Sequence, residues 1–171
     1  LRRVDAGALD LVPGATAPVI VTPHARELDR LRESLGMPAA DARDDDAREA
    51  AARETAEAFG GVVLSKGAVT IVAAAGGWTR RVSAGTPWLA TAGTGDVLGG
   101  VLGAVLAGSV AAGRDAVGDL ATSAAAAAWL HGRAGRAASL ALGEGGGPIA
   151  ALDVAEALPG VVAAVLRDSI T

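Results

Sequence analysis

The sequence contains no cysteine and no tyrosine, and it has one phenylalanine and one methionine among 171 residues. Without cysteine the chain can form neither a disulfide nor a thiolate metal site, which fits a reducing compartment. Apolar residues make up 51% of the chain, but aromatic residues only 2%, and 24 residues are glycine. We therefore expect one domain whose core relies on small side chains and close backbone approach.

Clusters of positive charge and long hydrophobic runs are also lacking. The 15 basic residues are outnumbered by 19 acidic ones, giving a net charge of −4, so the chain offers no evident surface for nucleic acid. The uncharged run 97–113 is shorter than the ~20 apolar residues that span a bilayer, and we interpret it as a core helix. Arg2 and Arg3 are followed by no apolar stretch typical of a signal peptide. These features predict a cytoplasmic protein with neither membrane nor nucleic-acid partners.

Short β-branched runs alternate with helical segments, a pattern typical of α/β domains. We find no internal repeat and no linker, so residues 1–171 are treated as a single domain. Thr22 and Pro23 carry the start signals of the first helix, and Gly132 is expected to end a later one. The predicted strands are one around Val4, Val19–Val21, Val62–Leu64 and a hairpin of Val69–Ala73 with Thr79–Val82. The predicted helices carry Leu28, Leu31 and Leu35, or span Asp44–Phe59, Val97–Ala107, Asp115–His131, a segment capped by Asp153, and Val161–Leu166.

The stretch TPWLATAGTGDVLGG at 86–100 is the most informative part of the sequence. Gly93-Thr94-Gly95-Asp96 leads directly into a helix, whose first N–H groups have no partner within the helix and favour an anion such as phosphate. A carboxylate at Asp96 would repel that phosphate, unless it accepts a proton from a substrate hydroxyl that attacks the phosphoryl group. The alternative is an ordinary tight turn with Asp96 as the N-cap residue.

Other candidate residues follow predicted strands, where α/β folds place ligand-binding groups. These are Asp5, His24 with Glu27 three residues later, and Lys66 before Gly67. Each has an alternative structural interpretation: Asp5 as a helix cap, His24 as a capping or packing residue, and Lys66 as a solvent-facing residue before a turn. His131 is expected to cap or pack, without a catalytic role.

Five segments in this order resemble the ribokinase-like superfamily, most closely the ADP- or ATP-dependent NAD(P)H-hydrate dehydratases of its carbohydrate-kinase-like branch. They are VDAGAL at 4–9, TPH at 22–24 with Glu27, LSKG at 64–67, GTPWLATAGTGDVL at 85–98, and WLHG at 129–132 with the later DVAEALP at 153–159. The resemblance implies a three-layer α/β/α ribokinase-like fold with a mostly parallel central sheet. It also implies repair of hydrated NADH or NADPH, in which the terminal phosphate of ADP or ATP activates the ring hydroxyl and then leaves.

The resemblance further implies roles for particular residues. Asp96 is the base acting on the hydroxyl and, with His24, contacts the damaged dinucleotide. Glu27 is the candidate for organising Mg²⁺ through water. Nucleotide contacts are expected from Lys66, Gly67, Ala68, Val69, Thr70, Gly93, Thr94 and Gly95, with the amides of 93–95 holding the transferred phosphoryl group. A homo-oligomer, specifically a homotetramer, is also implied.

The sequence departs from the family pattern in two respects. Arg26 stands where the family usually has Gly, and Thr86 and Trp88 stand where Asn and Gly are frequent, although all three only flank the reactive groups. More importantly, the chain begins at Leu1 and its only methionine is Met37, so we expect that the N-terminal portion of the domain is missing. Two alternatives therefore stay open: a related kinase of thiazole- or pyrimidine-type alcohols, and an inactive fragment that binds nucleotide without turnover.

Overall fold

The computed structural model describes residues 2–4, 18–40 and 44–168, so the candidate Asp5 lies outside the described residues. A short 3-10 helix, Pro87–Leu89, precedes the GTGD segment. The strands are β1 (Arg2–Val4), β2 (Val19–Val21), β3 (Val62–Ser65), β4 (Thr70–Ala74) and β5 (Thr79–Val82). The helices are α1 (Ala25–Ser34), α2 (Asp45–Phe59), α3 (Thr94–Ala111), α4 (Val117–Leu140) and α5 (Ala151–Asp168).

The strands form one sheet in the order β1-β2-β3-β4-β5. β1, β2 and β3 run parallel, while β4 and β5 form an antiparallel hairpin attached to β3. Gly76 and Gly77 both have φ of 87° at the turn, a backbone conformation that side chains with a Cβ rarely adopt. The predicted hairpin is therefore confirmed. The parallel half of the sheet brings the carboxyl ends of β2 and β3 to the same edge.

Both faces of the sheet are covered by helices. Alternate residues of a strand point to opposite faces, and each set enters a different buried cluster. One set, Ile20, Val62, Leu64, Val72 and Ala74, packs with α3 and α4. The other set, Val19, Val21, Val63, Ile71 and Ala73, packs with α1 and α2. The predicted three-layer α/β/α fold is thus confirmed, and three of its five strands are parallel.

Helix α3 carries the uncharged run noted in the sequence. Within the described residues it is the one helix long and apolar enough, by length and composition alone, to cross a membrane. Its buried leucines, Leu98, Leu102 and Leu106, pack instead between the sheet and α4. Its opposite face is exposed and carries small residues such as Gly103 and Ala107. The prediction of a core helix is therefore confirmed for the face that carries the leucines, whereas the opposite face lies outside the core.

Helix α4 does not end before Gly132 as predicted; it continues to Leu140. A Cβ at Gly132 would lie 2.9 Å from the backbone of Ala84 and Gly85, and one at Gly135 would lie 2.5 Å from the side chain of Leu89. These glycines permit close packing of α4 on the segment before α3, and they do not terminate the helix. The prediction was wrong because a glycine in a helical sequence can either end the helix or allow it to pack closely on a neighbour, and the sequence alone does not distinguish the two.

The last two predicted segments form one helix, α5, which continues through Pro159. Val154 is buried, and Leu158 and Val161 pack with it against α4, so tertiary contacts hold both halves of the helix on one surface. Asp153 acts at the start of α5, where its carboxylate accepts a 2.7 Å hydrogen bond from the Ala150 amide. Asp153 is therefore not the N-cap residue that the sequence predicted, because the helix begins two residues earlier, at Ala151, and Asp153 lies in its first turn.

The close packing at Gly132 yields a test. We expect Gly132→Ala to lower the melting temperature, because a steric cost of about 1–3 kcal/mol outweighs the gain of about 1 kcal/mol in helix propensity. Gly103→Ala is the matched control: it is exposed, and nothing lies within 4 Å of its added Cβ. The control should raise the melting temperature by about 2–4 °C. Equal responses of the two variants in calorimetry would contradict the close-packing role of Gly132.

Candidate functional site

A cavity of about 640 Å³ lies at the edge of the sheet where β2 and β3 end. Polar groups and the start of α3 form one side, and apolar side chains from the 82–90 segment, α3 and α4 form the other. The lining of this cavity includes His24, Lys66, Gly67, Ala68, Thr70, Thr94, Gly95 and His131. This combination is typical of ligand sites, which are mostly apolar with a few convergent polar groups.

The two parallel strands bring Lys66 and His24 together. The amide of Lys66, just after β3, donates a 2.8 Å hydrogen bond to the carbonyl of Pro23, just after β2. His24, not Thr22 or Pro23, is the N-cap residue of α1, and its Nδ1 accepts a 3.3 Å hydrogen bond from the Glu27 amide. The predicted helix start at Thr22 and Pro23 was therefore wrong by one to two residues, whereas the capping alternative for His24 is confirmed. His24 nevertheless also lines the cavity, with 51% of its side chain exposed.

Glu27 connects these groups. Its carboxylate accepts a 2.7 Å hydrogen bond from the His24 amide, completing a capping box. The same oxygen, Oε2, lies 3.5 Å from the Lys66 Nζ, and Glu27 is only 12% exposed. The negative charge of Glu27 therefore holds the ammonium of Lys66 at the mouth of the cavity.

Glu27 was also the candidate for organising magnesium. Across residues 18–40 and 44–168, no group of three or more His, Asp or Glu side chains could hold a metal ion. Mg²⁺ usually retains several waters and takes one or two carboxylates together with substrate phosphates. The residues present therefore fit an ion that draws most of its ligands from phosphate and water, with Glu27 as the nearby carboxylate.

The first turn of α3 faces Lys66. Gly93 is the N-cap residue, with a left-handed φ of 84°. Its carbonyl accepts hydrogen bonds from the amides of Asp96 and Val97, at 3.0 and 3.2 Å, so the Thr94 and Gly95 amides precede the first bond of the helix. A Cβ at Gly95 would lie 3.9 Å from the Lys66 Nζ. The Lys66 ammonium thus lies beside the first turn of α3, where the Thr94 and Gly95 amides have no partner within the helix, and this arrangement favours an anion.

Asp96 lies in this turn without acting as its cap. The N-cap residue is Gly93, and no side chain caps the helix by a hydrogen bond, so the N-cap alternative for Asp96 is wrong. The carboxylate is exposed and does not line the cavity itself.

Thr94 has a different role, since its buried hydroxyl lies 2.8 Å from the Leu89 carbonyl and 2.9 Å from that of Thr91. Thr94 therefore fastens the preceding turn with its side chain.

The segment after Lys66 is held by a residue that the sequence did not indicate. Arg48 on α2 donates a 3.0 Å hydrogen bond to the Val69 carbonyl and a 3.5 Å one to the Lys66 carbonyl. Asp45 fixes the same guanidinium at 2.7 Å. A Cβ at Gly67 would lie 2.3 Å from the guanidinium of Arg48, so a side chain at this position would displace the guanidinium. The acidic start of α2 thus supports this segment through Asp45.

The other side of the cavity contains the second unexpected residue, His131 on α4. It is 9% exposed, and its Nε2 is buried without a hydrogen-bond partner in the described structure. Burial lowers the pKa of His131 below its ordinary value, and the nearby backbone of Thr94 opposes that shift. The imidazole is therefore held in its neutral form beside the start of α3. The expectation that His131 packs in the interior is confirmed by its burial.

Most of the sequence-predicted site residues thus meet at one cavity. Three have side chains elsewhere: Val69 packs against the core beneath α1 and α2, Asp96 faces solvent, and Glu27 lies behind Lys66 and His24. Gly93 contributes its backbone conformation, since a Cβ there would lie 3.0 Å from Ala151 on α5. Arg48 carried no sequence signal for its role, because its partners are backbone carbonyls distant in sequence.

Comparison with known proteins identifies the family of this chain. The sequence profile of the NAD(P)H-hydrate dehydratase family matches residues 4–158. The chain belongs to this family. The ADP-dependent (S)-NAD(P)H-hydrate dehydratase of Neisseria meningitidis serogroup B is 39% identical over all 171 residues, which correspond to 51% of that protein.

Other members of the NAD(P)H-hydrate dehydratase family extend this result. The bifunctional NAD(P)H-hydrate repair enzyme Nnr of Mycobacterium tuberculosis is 46% identical over 107 residues, 63% of this chain and 21% of that one. A structure of the ADP/ATP-dependent NAD(P)H-hydrate dehydratase of Bacillus subtilis, co-crystallised with ATP/Mg²⁺ and soaked with CoA, matches with a TM-score of 0.70 and 27% identity. It covers 93% of this chain and 54% of the Bacillus chain. The chain spans about half the length of the Neisseria and Bacillus relatives.

The contribution of the capping box between Glu27 and His24 to the stability of this family member can be measured. We expect Glu27→Ala to lower the free energy of unfolding by about 0.5–2 kcal/mol, because the capping box at His24 is lost. Urea denaturation measures this change. Glu33→Ala, on the exposed side of the same helix, is the control and should stay within about 0.5 kcal/mol of the parent chain. Indistinguishable variants would show that the capping box contributes nothing.

Proposed function

We propose that this chain binds ADP or ATP, with the terminal phosphate at the start of α3, and dehydrates hydrated NADH or NADPH back to NAD(P)H. The observation that carries the proposal is the convergence of the Lys66 ammonium with the Thr94 and Gly95 amides. The names of the Neisseria and Bacillus relatives, one ADP-dependent and the other ADP/ATP-dependent, support an adenine nucleotide.

The phosphate site rests on charge and geometry. The helix terminus supplies about half a positive charge together with directed N–H donors, and Lys66 adds a full charge at the same point. Glu27, 3.5 Å from Lys66, keeps the ammonium in place before the ligand arrives. Because these groups are fixed in advance, they can stabilise charge that develops on the transferred phosphoryl group without reorganising.

The remainder of the nucleotide is assigned to the segment after β3. Gly67, Ala68 and Thr70 line the cavity, and the hydrogen bonds from Arg48 hold their backbone in place. A wall of small residues leaves room for a ligand to lie against the backbone. His24, at the same edge and half exposed, is positioned to contact the hydrated dinucleotide. A magnesium ion among the phosphates would neutralise part of their charge.

Asp96 is the proposed base. Its carboxylate is exposed and makes no capping bond, so it can accept the proton of the ring hydroxyl. The hydroxyl oxygen then forms a bond to the terminal phosphorus as the bond to the nucleotide's bridging oxygen breaks. Subsequent cleavage of the ring C–O bond releases phosphate, and loss of a proton from the adjacent ring carbon restores the double bond. A cytoplasmic location and a homo-oligomeric assembly belong to the same proposal.

Nucleotide binding is tested at Lys66. We expect Mg-ADP and Mg-ATP to raise the melting temperature of the parent chain, since a ligand that binds only the folded state stabilises it by mass action. Lys66→Ala should weaken the affinity about ten- to hundredfold, which corresponds to one hydrogen bond to a charged group. Arg53→Ala, an exposed cation on α2, should bind nucleotide like the parent. No stabilisation of the parent at millimolar nucleotide would refute the phosphate site.

The base is tested by Asp96→Asn, which retains the shape and removes the proton acceptor. We expect turnover of hydrated NADH to fall by about 10²–10⁴-fold while nucleotide affinity stays nearly constant. Asp119→Asn, in the first turn of α4, is the matched control and should leave both unchanged. Parallel loss of binding and turnover in Asp96→Asn would indicate a structural role. Nucleotide binding by the parent chain without turnover would support a nucleotide-binding fragment and contradict the proposed catalysis by residues 1–171.

A further inference from the structure

The segment 66–69 connects β3 to β4 and forms part of the cavity wall, with Gly67 and Ala68 both exposed toward the cavity. A four-residue turn is often closed by a hydrogen bond from its last amide to its first carbonyl. In the described structure no backbone–backbone hydrogen bond joins two residues of this segment, and the Gly67 and Ala68 amides take part in none. The conformation of the segment must therefore be fixed from outside.

Arg48 on α2 supplies the missing connection. Its Nη2 donates a 3.0 Å hydrogen bond to the Val69 carbonyl and a longer one, at 3.5 Å, to the Lys66 carbonyl. Its Nη1 donates at 2.7 Å to the carboxylate of Asp45, one turn earlier on α2. The Arg48 side chain is only 15% exposed, so water competes weakly for these bonds. One guanidinium thus joins the first and last residues of the segment.

The presence of glycine at position 67 is explained by the same guanidinium. Gly67 is not among the glycines with a positive φ, so its backbone conformation is open to residues that carry a Cβ. A Cβ there would lie 2.3 Å from Nη2 of Arg48 and 2.8 Å from its Cζ. The described lining of the cavity does not include Arg48, so this Cβ would point toward α2 and away from the ligand space.

We propose that Arg48 is a positioning residue that sets nucleotide affinity by holding the segment 66–69 in its ligand-binding conformation. The Lys66 carbonyl and the Gly67 N–H belong to one planar trans peptide unit and point in opposite directions. Since this carbonyl accepts from Arg48, the Gly67 N–H is directed away from α2. An amide placed in this way is a suitable donor to a phosphate or ribose oxygen.

The effect of Arg48 is expected in binding and not in the chemical step. Without its hydrogen bonds the segment would occupy several conformations, and the apparent affinity falls with the fraction of molecules that are competent to bind. The proposed base, Asp96, lies on α3 and makes no contact with Arg48 among those that the structure shows. Loss of Arg48 should therefore raise the KM for Mg-ADP far more than it lowers kcat.

The inference rests on the proposed nucleotide binding and is tested first by two substitutions of Arg48. We expect Mg-ADP affinity to fall about tenfold in both Arg48→Met and Arg48→Lys, the loss that corresponds to one hydrogen bond from a charged group. Lysine retains the charge, but its single nitrogen cannot reproduce the fork that bonds Asp45 and both carbonyls. Parent-like affinity of Arg48→Lys would show that charge alone acts, and would overturn the positioning role.

A matched pair of carboxylates on α2 provides the control. Asp45→Asn weakens the support of Arg48 and should lower Mg-ADP affinity about two- to fivefold. Asp46 is the next residue, but its carboxylate pairs with Arg81 on β5. Asp46→Asn should therefore bind Mg-ADP within about twofold of the parent. Equal affinities of the two variants would contradict the role of the Asp45–Arg48 contact.

A double-mutant cycle with Gly67 tests the geometry itself. In the parent, Gly67→Ala should displace the guanidinium and weaken Mg-ADP binding about three- to tenfold. In the Arg48→Met background the space beside Gly67 is vacated, so the same substitution should change affinity by less than about twofold. Residues in contact show such non-additivity, whereas independent ones do not. Losses that multiply in the double variant would overturn the inference.

A ligand-free readout tests Arg48 even if no nucleotide binds. The ¹H–¹⁵N heteronuclear NOE reports backbone motion on the picosecond to nanosecond timescale. We expect lower values at Gly67 and Ala68 in Arg48→Met than in the parent, with unchanged values at Gly76 and Gly77, at the other end of β4. Unchanged values at Gly67 and Ala68 would overturn the positioning role. Absence of nucleotide binding by the parent would instead refute only the proposed function.

Discussion

The hydrogen bond from the Lys66 amide to the Pro23 carbonyl is the contact on which the site depends. It joins the chain just after β2 to the chain just after β3, continuing the alignment that the parallel pair begins at Ile20 and Val62. Because parallel strands end at the same edge, the residues that follow them share a cleft. The cap of α1 and the ammonium of Lys66 therefore meet without any long loop to place them.

The second constraint is the small size of the residues that close the cavity. Gly132 and Gly135 let α4 approach the backbone before α3, and Gly67 leaves room for the guanidinium of Arg48. With few aromatic side chains, this protein shapes its site by bringing backbone segments close together. A cavity wall built in this way is rigid, because close-packed protein interiors have low compressibility. It also explains why a single buried imidazole on α4 contacts the first turn of α3.

Residues that follow strands could be located from the sequence, and residues that act through tertiary contacts could not. The β-branched runs and the Gly76-Gly77 turn predicted the strands and the hairpin, and the parallel-sheet rule then brought His24 and Lys66 to one edge. In contrast, Gly132 has the same sequence signature as a helix terminator, and its real role depends on the backbone of Ala84 and Gly85. Arg48 bonds to main-chain carbonyl groups, which leave no side-chain pattern to find.

The central claim is that an adenine nucleotide places its phosphates between Lys66 and the start of α3. A titration with Mg-ADP followed by amide ¹H–¹⁵N spectra of the 171-residue chain tests it most directly, since these amides report the position of the anion. The account predicts that the largest shifts fall on Thr94, Gly95 and the segment 66–70. Shifts concentrated instead at the separate cleft lined by Arg80, Ser83 and Trp129, or no shifts at saturating nucleotide, would contradict it.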